Sequence, residues 1–272
     1  MLYLDKDGLC IHFPDVHAEA RCHISFHLDD HPEPSTLQSL FGNDRVPLFH
    51  IDDYTQDLPD AWVKRGGLIA PVRSGQKLRI KLSGNYPFAI KIATGKVNAI
   101  TGEPWSDHLN FDQQDYLLSS RQSTFSGFRR PDGTIHQFVV SPMGVGATIE
   151  EEVTGAAEFG GIQLVAYPLS ASTYQKSRSE TRFSINLSPE AEERIKAAAL
   201  KPLGLAAAEP VQEELIKADY YSPQDWDTRQ SRRCFIHLLD REDFLRITGR
   251  RMNGKKATVV NLDYWRQKFG NV

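Results

Sequence analysis

The sequence predicts a mainly β protein, a sandwich or barrel-like body with a few short helices toward the C-terminus. Three observations carry that prediction. Between Phe88 and Tyr167 the runs FAIKIATG, VNAITGEPW, IHQFVVSPMGVG and GGIQLVAYP are rich in Val, Ile and Phe and punctuated by Gly and Pro, as in strands joined by turns. Leu78, Ile80 and Leu82 alternate with Arg79 and Lys81, the pattern of a strand that is wet on one face. Helix-start signals gather after Ser188.

In chain order, residues 1–75 read as an irregular zone. It holds two short strands, the turn-rich segment HLDDHPEPSTLQ, a polar stretch dotted with aromatics to Trp62, and a turn at Gly66-Gly67. Residues 76–187 form the β core, closed by FSINL at 183–187. Residues 188–272 hold the helices. Ser188, Pro189 and Glu190 supply an N-cap, a first-position proline and a first-turn acid for EAEERIKAAAL, and EPVQEELIKA offers a second short helix. CFIHLL reads as one more strand. Asp240 then caps DREDFLRITG, with Asp243 three residues on and Gly249 as the stop, and LDYWRQKFGNV gives a last turn. No repeat and no low-complexity linker divides the zones, so a single β-rich domain over 1–272 is expected.

Composition narrows the function classes. A chain of 272 residues folded as one body buries roughly 70–75% of its extended surface, enough for a core without staples. With 32 basic against 35 acidic residues there is no broad electropositive face for a phosphate backbone, so nucleic acid is not an expected partner. The clusters Arg129-Arg130, Arg232-Arg233 and Arg250-Arg251 with Lys255-Lys256 read as solvated faces. Three cysteines make an odd count, the start MLYLDKDGLC lacks an apolar leader, and no stretch approaches about 18 consecutive apolar residues. The expected setting is a reducing cytoplasm with no membrane partner.

Cys10, His12, His17, Cys22, His23, His27 and His31 crowd the start of the chain and suggest zinc, which needs four N or S donors at about 2.0–2.3 Å. As a strand, RCHISFHL turns Cys22, Ile24, Phe26 and Leu28 to one side and leaves His23 and His27 about 13 Å apart on the other. Exposed histidines, buried thiols and no metal or other cofactor are therefore expected. PMGVGATIEEEVTG looks superficially like a phosphate cradle, but Glu150, Glu151 and Glu152 follow its glycines, and a turn leading into a strand with acids in solvent is expected instead. There is no GxSxG elbow. Cys234, preceded by Arg232-Arg233, has His237 on the opposite face of its strand and reads as a structural thiol. Lys91 interrupts the apolar strand FAIKIA. A wet strand face is the expected explanation, the alternative being a polar interior with an acid partner or ligand. Trp105, Trp62, Trp226 and Tyr116 could form an aromatic platform, although packing is the commoner role.

The run YPFAIKIATGKVNAITGEPW, then QDY at 114–116, IHQFVVSPMGVGATIEEEVTG, AEFGGIQLVAYPL, and QDWDTRQSRRCFIHLL with RITG resembles an uncharacterised bacterial protein family carrying similar blocks in this order. The resemblance spans about Phe49 to Gly249 and implies one architecture from Phe88 to Trp226, with no activity or cofactor attached. Where that family carries a Gly-rich basic segment, this chain reads LGLAAAEPVQEEL. Polar residues within the blocks, read as exposed, are the candidate ligand-binding set: Lys91, Asn98, Glu103, Asp115, Glu150, Glu158, Gln163 and Asp227, with Trp105 beside them. Two functions are expected. The first is a non-catalytic β module that binds a small molecule or a protein through loops at one end; the second is a carboxylate-based hydrolase or isomerase using Glu150 or Glu158 with Lys91.

Overall fold

The computed structural model describes residues 1–5, 8–28, 45–130, 134–180 and 216–248. The expected helices from Ser188 and within EPVQEELIKA, the strand FSINL, the Gly249 stop and the tail from Leu262 lie wholly or largely outside these residues, as does His31.

Within them the protein is mainly β. One sheet is built from β1 (Leu2–Asp5), β2 (Gly8–His12), β3 (Arg21–Leu28), β4 (Arg45–Val46), β7 (Leu78–Ser83) and β11 (Thr124–Phe125), in the order β1-β2-β3-β7-β11 with β4 also on β3. The second sheet contains β5 (Phe49–His50), β6 (Leu68–Val72), β8 (Phe88–Thr94), β9 (Val97–Asn98), β10 (Leu117–Leu118), β14 (Ile162–Pro168) and β15 (Arg232–Asp240). Its order is β10-β8-β14-β15-β6-β5, with β9 on β8. A small hairpin joins β12 (Gly127–Arg129) to β13 (Ile135–Gln137). The zone expected to be irregular thus supplies much of the first sheet, because alternation in GLCIH and RCHISFHL drives antiparallel pairing from Leu9↔Ile24 to His12↔Arg21.

The two sheets share one core, as in a sandwich. Ile11, Ile24, Phe26 and Ile80 come from the first sheet, and Ile90, Ile92, Leu164 and Ile236 from the second, all 0–1% exposed. β7 shows the predicted alternation, with Leu78, Ile80 and Leu82 inside. β8 and β14 are instead buried on both faces, which corrects the wet-face reading of Lys91. β15 pairs antiparallel with β14 and parallel with β6, and Pro71 of β6 falls beyond the short β5, where a missing N–H disturbs no second ladder.

Helices are few. α1 (Asp60–Arg65) ends at Gly66, and α2 (Ile149–Thr154) replaces the strand expected across the three glutamates. The reason for α2 is local: Thr148 accepts from the Glu151 amide while the Glu151 carboxylate accepts from the Thr148 amide, a complete capping box with acids in the first turn. α3 (Ala171–Glu180) buries Tyr174 against Tyr86 at 4.2 Å, and that hydroxyl and Arg178 both bind Glu19. α4 (Arg241–Thr248) begins as expected, with Asp240 accepting from the Glu242 amide at 2.8 Å. It packs Phe244 onto Phe49, Ile51 and Ile69 as a satellite core.

Candidate functional site

Five of the eight polar candidates are buried rather than exposed: Lys91 0%, Asn98 2%, Asp115 7%, Glu150 2% and Gln163 5%. Each has an internal partner that explains it. Register places Lys91, Gln163 and Arg233 on the same face of the second sheet, away from the shared core. Lys91 Nζ donates to Asp115 Oδ2 at 2.6 Å and to the His108 carbonyl, and lies 5.2 Å from the centre of the Trp105 ring. Asp115 Oδ1 accepts from the Asn110 amide, and Asn98 donates to the Asp115 carbonyl while accepting from the amides of Ile100 and Thr101. Asp107 takes the Trp105 indole N–H and pairs with Arg233, and Tyr167 donates to the Asp107 carbonyl. The Arg233 guanidinium holds the Asp107 carboxyl below its usual range. This network clamps the 99–116 loop to the sheet, and Lys91 is held by two oxygen acceptors beneath the Trp105 ring.

The remaining candidates are dispersed. Glu158 pairs with Lys96 at 2.8 Å in solvent, Asp227 holds Arg229 at 3.4 Å, Glu103 is exposed, and Gln163 donates to the Gly95 carbonyl at 2.6 Å. The aromatic platform is divided among three places. Tyr116 and Trp226 pack edge to face at 6.1 Å, Trp105 covers Lys91, and Trp62 stacks on His237 at 4.6 Å.

The thiols and histidines carry no metal geometry among the described residues. Cys10, Cys22 and Cys234 are free and buried, and burial pushes the Cys22 and Cys234 thiols up to about 12, far from a nucleophilic thiolate. Of the histidines expected in solvent, the described ones, His12, His17, His23 and His27, are half-buried. His23 bonds the Asp5 carbonyl at 3.1 Å and His27 bonds the Ser25 hydroxyl at 3.0 Å, because the hairpin partners screen them. His237 is buried, bonds the Gly66 carbonyl at 3.0 Å, and is held below its ordinary value by that burial, with Arg65 acting in the same direction. The unfolded chain therefore binds the additional proton below its ordinary value near 6.5, so this contribution to stability is present above that pH and fades as the pH falls toward the folded value. The melting temperature is expected to decline as the pH falls below about 6.5, and the slope to flatten in His237→Gln. Parallel curves for the two proteins would show that another group sets the slope.

The loop that resembles a phosphate cradle is filled from within. The amides of Gly144 and Gly146 donate to Glu151 Oε1 at 2.8 and 3.0 Å, and the Thr148 hydroxyl donates to Oε2 at 2.6 Å. That hydroxyl and the glycine amides hold the carboxyl below its ordinary range.

Beside this loop lies a cleft of about 570 Å³, at the end of the sandwich where β6, β8, β14 and β15 meet the 137–149 segment. Its walls are mainly apolar, with Phe128, Phe138, Ile149, Ile162 and Leu238 inside and Val139 and Met143 exposed at the rim. Glu150 lines it from α2. Oε2 of Glu150 accepts from the amides of Phe159 at 3.1 Å and Gly160 at 2.7 Å, and the carboxyl rests against Gly95, where an added Cβ would stand 2.4 Å away. Glu150 is the one polar candidate from the sequence that the structure places in the cleft. Trp62, read from the sequence as part of an aromatic platform, also lines the cleft, whereas Thr94, Arg130, Phe138 and Leu238 were not read as site residues. The one available signal was the run SPMGVGA, unusually apolar for a loop.

Comparison with protein-family models, curated proteins and solved structures finds no match to the chain.

Proposed function

We propose that the protein is a non-catalytic module that binds a small, largely apolar ligand in the cleft at the end of its β-sandwich. The observation that carries this reading is the cleft itself, of ligand size, walled by apolar side chains and containing a single buried carboxylate, Glu150. The hydrolase or isomerase alternative draws no support from the partners of its groups. Lys91 is spent on Asp115, Glu158 on Lys96, and Glu150 on two amides. Three buried free thiols fit a reducing compartment such as the cytoplasm, and among the described residues no helix is long and apolar enough to cross a membrane.

The neutral fluorophore N-phenyl-1-naphthylamine tests the site. Saturable enhancement is expected in the wild type, with at least about tenfold weaker binding (~1.4 kcal/mol) in Ala147→Trp, whose ring would fill the mouth from an exposed position. Equal binding by a folded Ala147→Trp protein would place the probe elsewhere and remove the basis for this reading.

A further inference from the structure

Resting on the cleft as the binding site, we infer that its ligand is a cationic amphiphile, an apolar body bearing an ammonium group that pairs with Glu150. Glu150 is 2% exposed, and its Oε1 receives only a 3.3 Å contact from the Phe159 amide, the shorter bonds going to Oε2. Among the described residues no lysine, arginine or histidine forms an ion pair with it. A carboxylate this buried with no counter-cation is costly beyond what its amide donors return, and Glu150 is among the residues that line the mainly apolar cleft. A ligand ammonium entering the cleft would add a counter-charge to the amide donors, where low polarity strengthens attraction.

The rest of the lining points the same way. Glu152, Asp240 and Asp243 add carboxylates, of which Glu152 is bound to Arg130 at 3.2 Å and Asp243 to Arg246 at 2.7 Å. The cleft contributes no lysine, so an anionic ligand would find its one cation engaged and carboxylates around it. The apolar walls exclude a simple metal ion as the natural occupant and set the size of the body. A phenyl ring on a short chain enters a cleft of about 570 Å³ with room to spare.

Displacement of bound N-phenyl-1-naphthylamine by 4-phenylbutylamine, 4-phenylbutan-1-ol and 4-phenylbutanoate at pH 7.5 tests this, because the three share one body and differ in head group. The amine is expected to displace the fluorophore at a concentration at least about tenfold lower than the alcohol, and the carboxylate to be the weakest. In Glu150→Gln the ratio of amine to alcohol should fall toward one, whatever the affinity for the fluorophore. Should Glu150→Gln fail to fold, the wild-type ranking with Asp243→Asn, which reduces the rim charge and should shrink the amine's advantage, decides the matter. Equal potency of amine and alcohol, or preference for the carboxylate, overturns the ligand class while leaving the cleft as the site. Loss of saturable fluorophore binding in the wild type would overturn the site itself.

Discussion

Asp115→Ala is expected to destabilise the protein by about 3–5 kcal/mol, the largest single effect anticipated, because it strands the Lys91 ammonium in a fully buried position. Lys91 would retain the His108 carbonyl and the face of Trp105, neither of which offers a full negative charge. Asp115 also receives the Asn110 amide, so its loss loosens the 99–116 loop. Lys91→Met should cost less, since Asp115 is slightly exposed and keeps an amide donor. The double variant Lys91→Met with Asp115→Leu removes both charges and should regain most of the stability lost in Asp115→Ala. Urea midpoints measured on all four proteins check this. A loss below about 1 kcal/mol in Asp115→Ala would mean that the ammonium reaches water and that the clamp is not closed.

Gly67→Ala should cost about 2–5 kcal/mol, combining backbone strain with overpacking. Gly67 has φ of 103°, and a Cβ there would stand 2.2 Å from the Phe235 carbonyl oxygen, so β15 could not lie against the start of β6 without shifting. Gly155→Ala provides the comparison. Its φ of 73° is also left-handed, but nothing lies within 4 Å of the added atom, and about 1–2 kcal/mol is expected. Thermal unfolding of the pair separates contact from conformation, and equal losses would show that the Phe235 carbonyl yields without cost.

The fold was legible wherever burial was one-sided. Leu78, Ile80 and Leu82 declared their strand because Arg79 and Lys81 stood between them, and Cys22, Ile24 and Phe26 did the same in β3. It was less legible where both faces are covered. In β8 the run FAIKIAT gives no alternation, and whether Lys91 meets water or Asp115 depends on a loop 24 residues farther along the chain. α2 was mistaken for a strand because three adjacent glutamates outweighed the Thr148 and Glu151 capping pattern that was already present. α3 offers little to read, since in ASTYQKSRSE only Tyr174 is drawn firmly inward. The cleft is assembled from strand ends distant in sequence, and only Glu150 and the apolar run SPMGVGA hinted at it.

The position of β15 bears on synthesis. It lies between β14 and β6, yet residues 232–240 are made long after residues 68–72 have left the ribosome. Until it arrives, two strands of the larger sheet present open hydrogen-bonding edges, and the parallel ladder to β6 must wait until residues 232–240 have been made. A nascent chain halted before Arg232 therefore leaves the β14 and β6 edges open to edge-to-edge association.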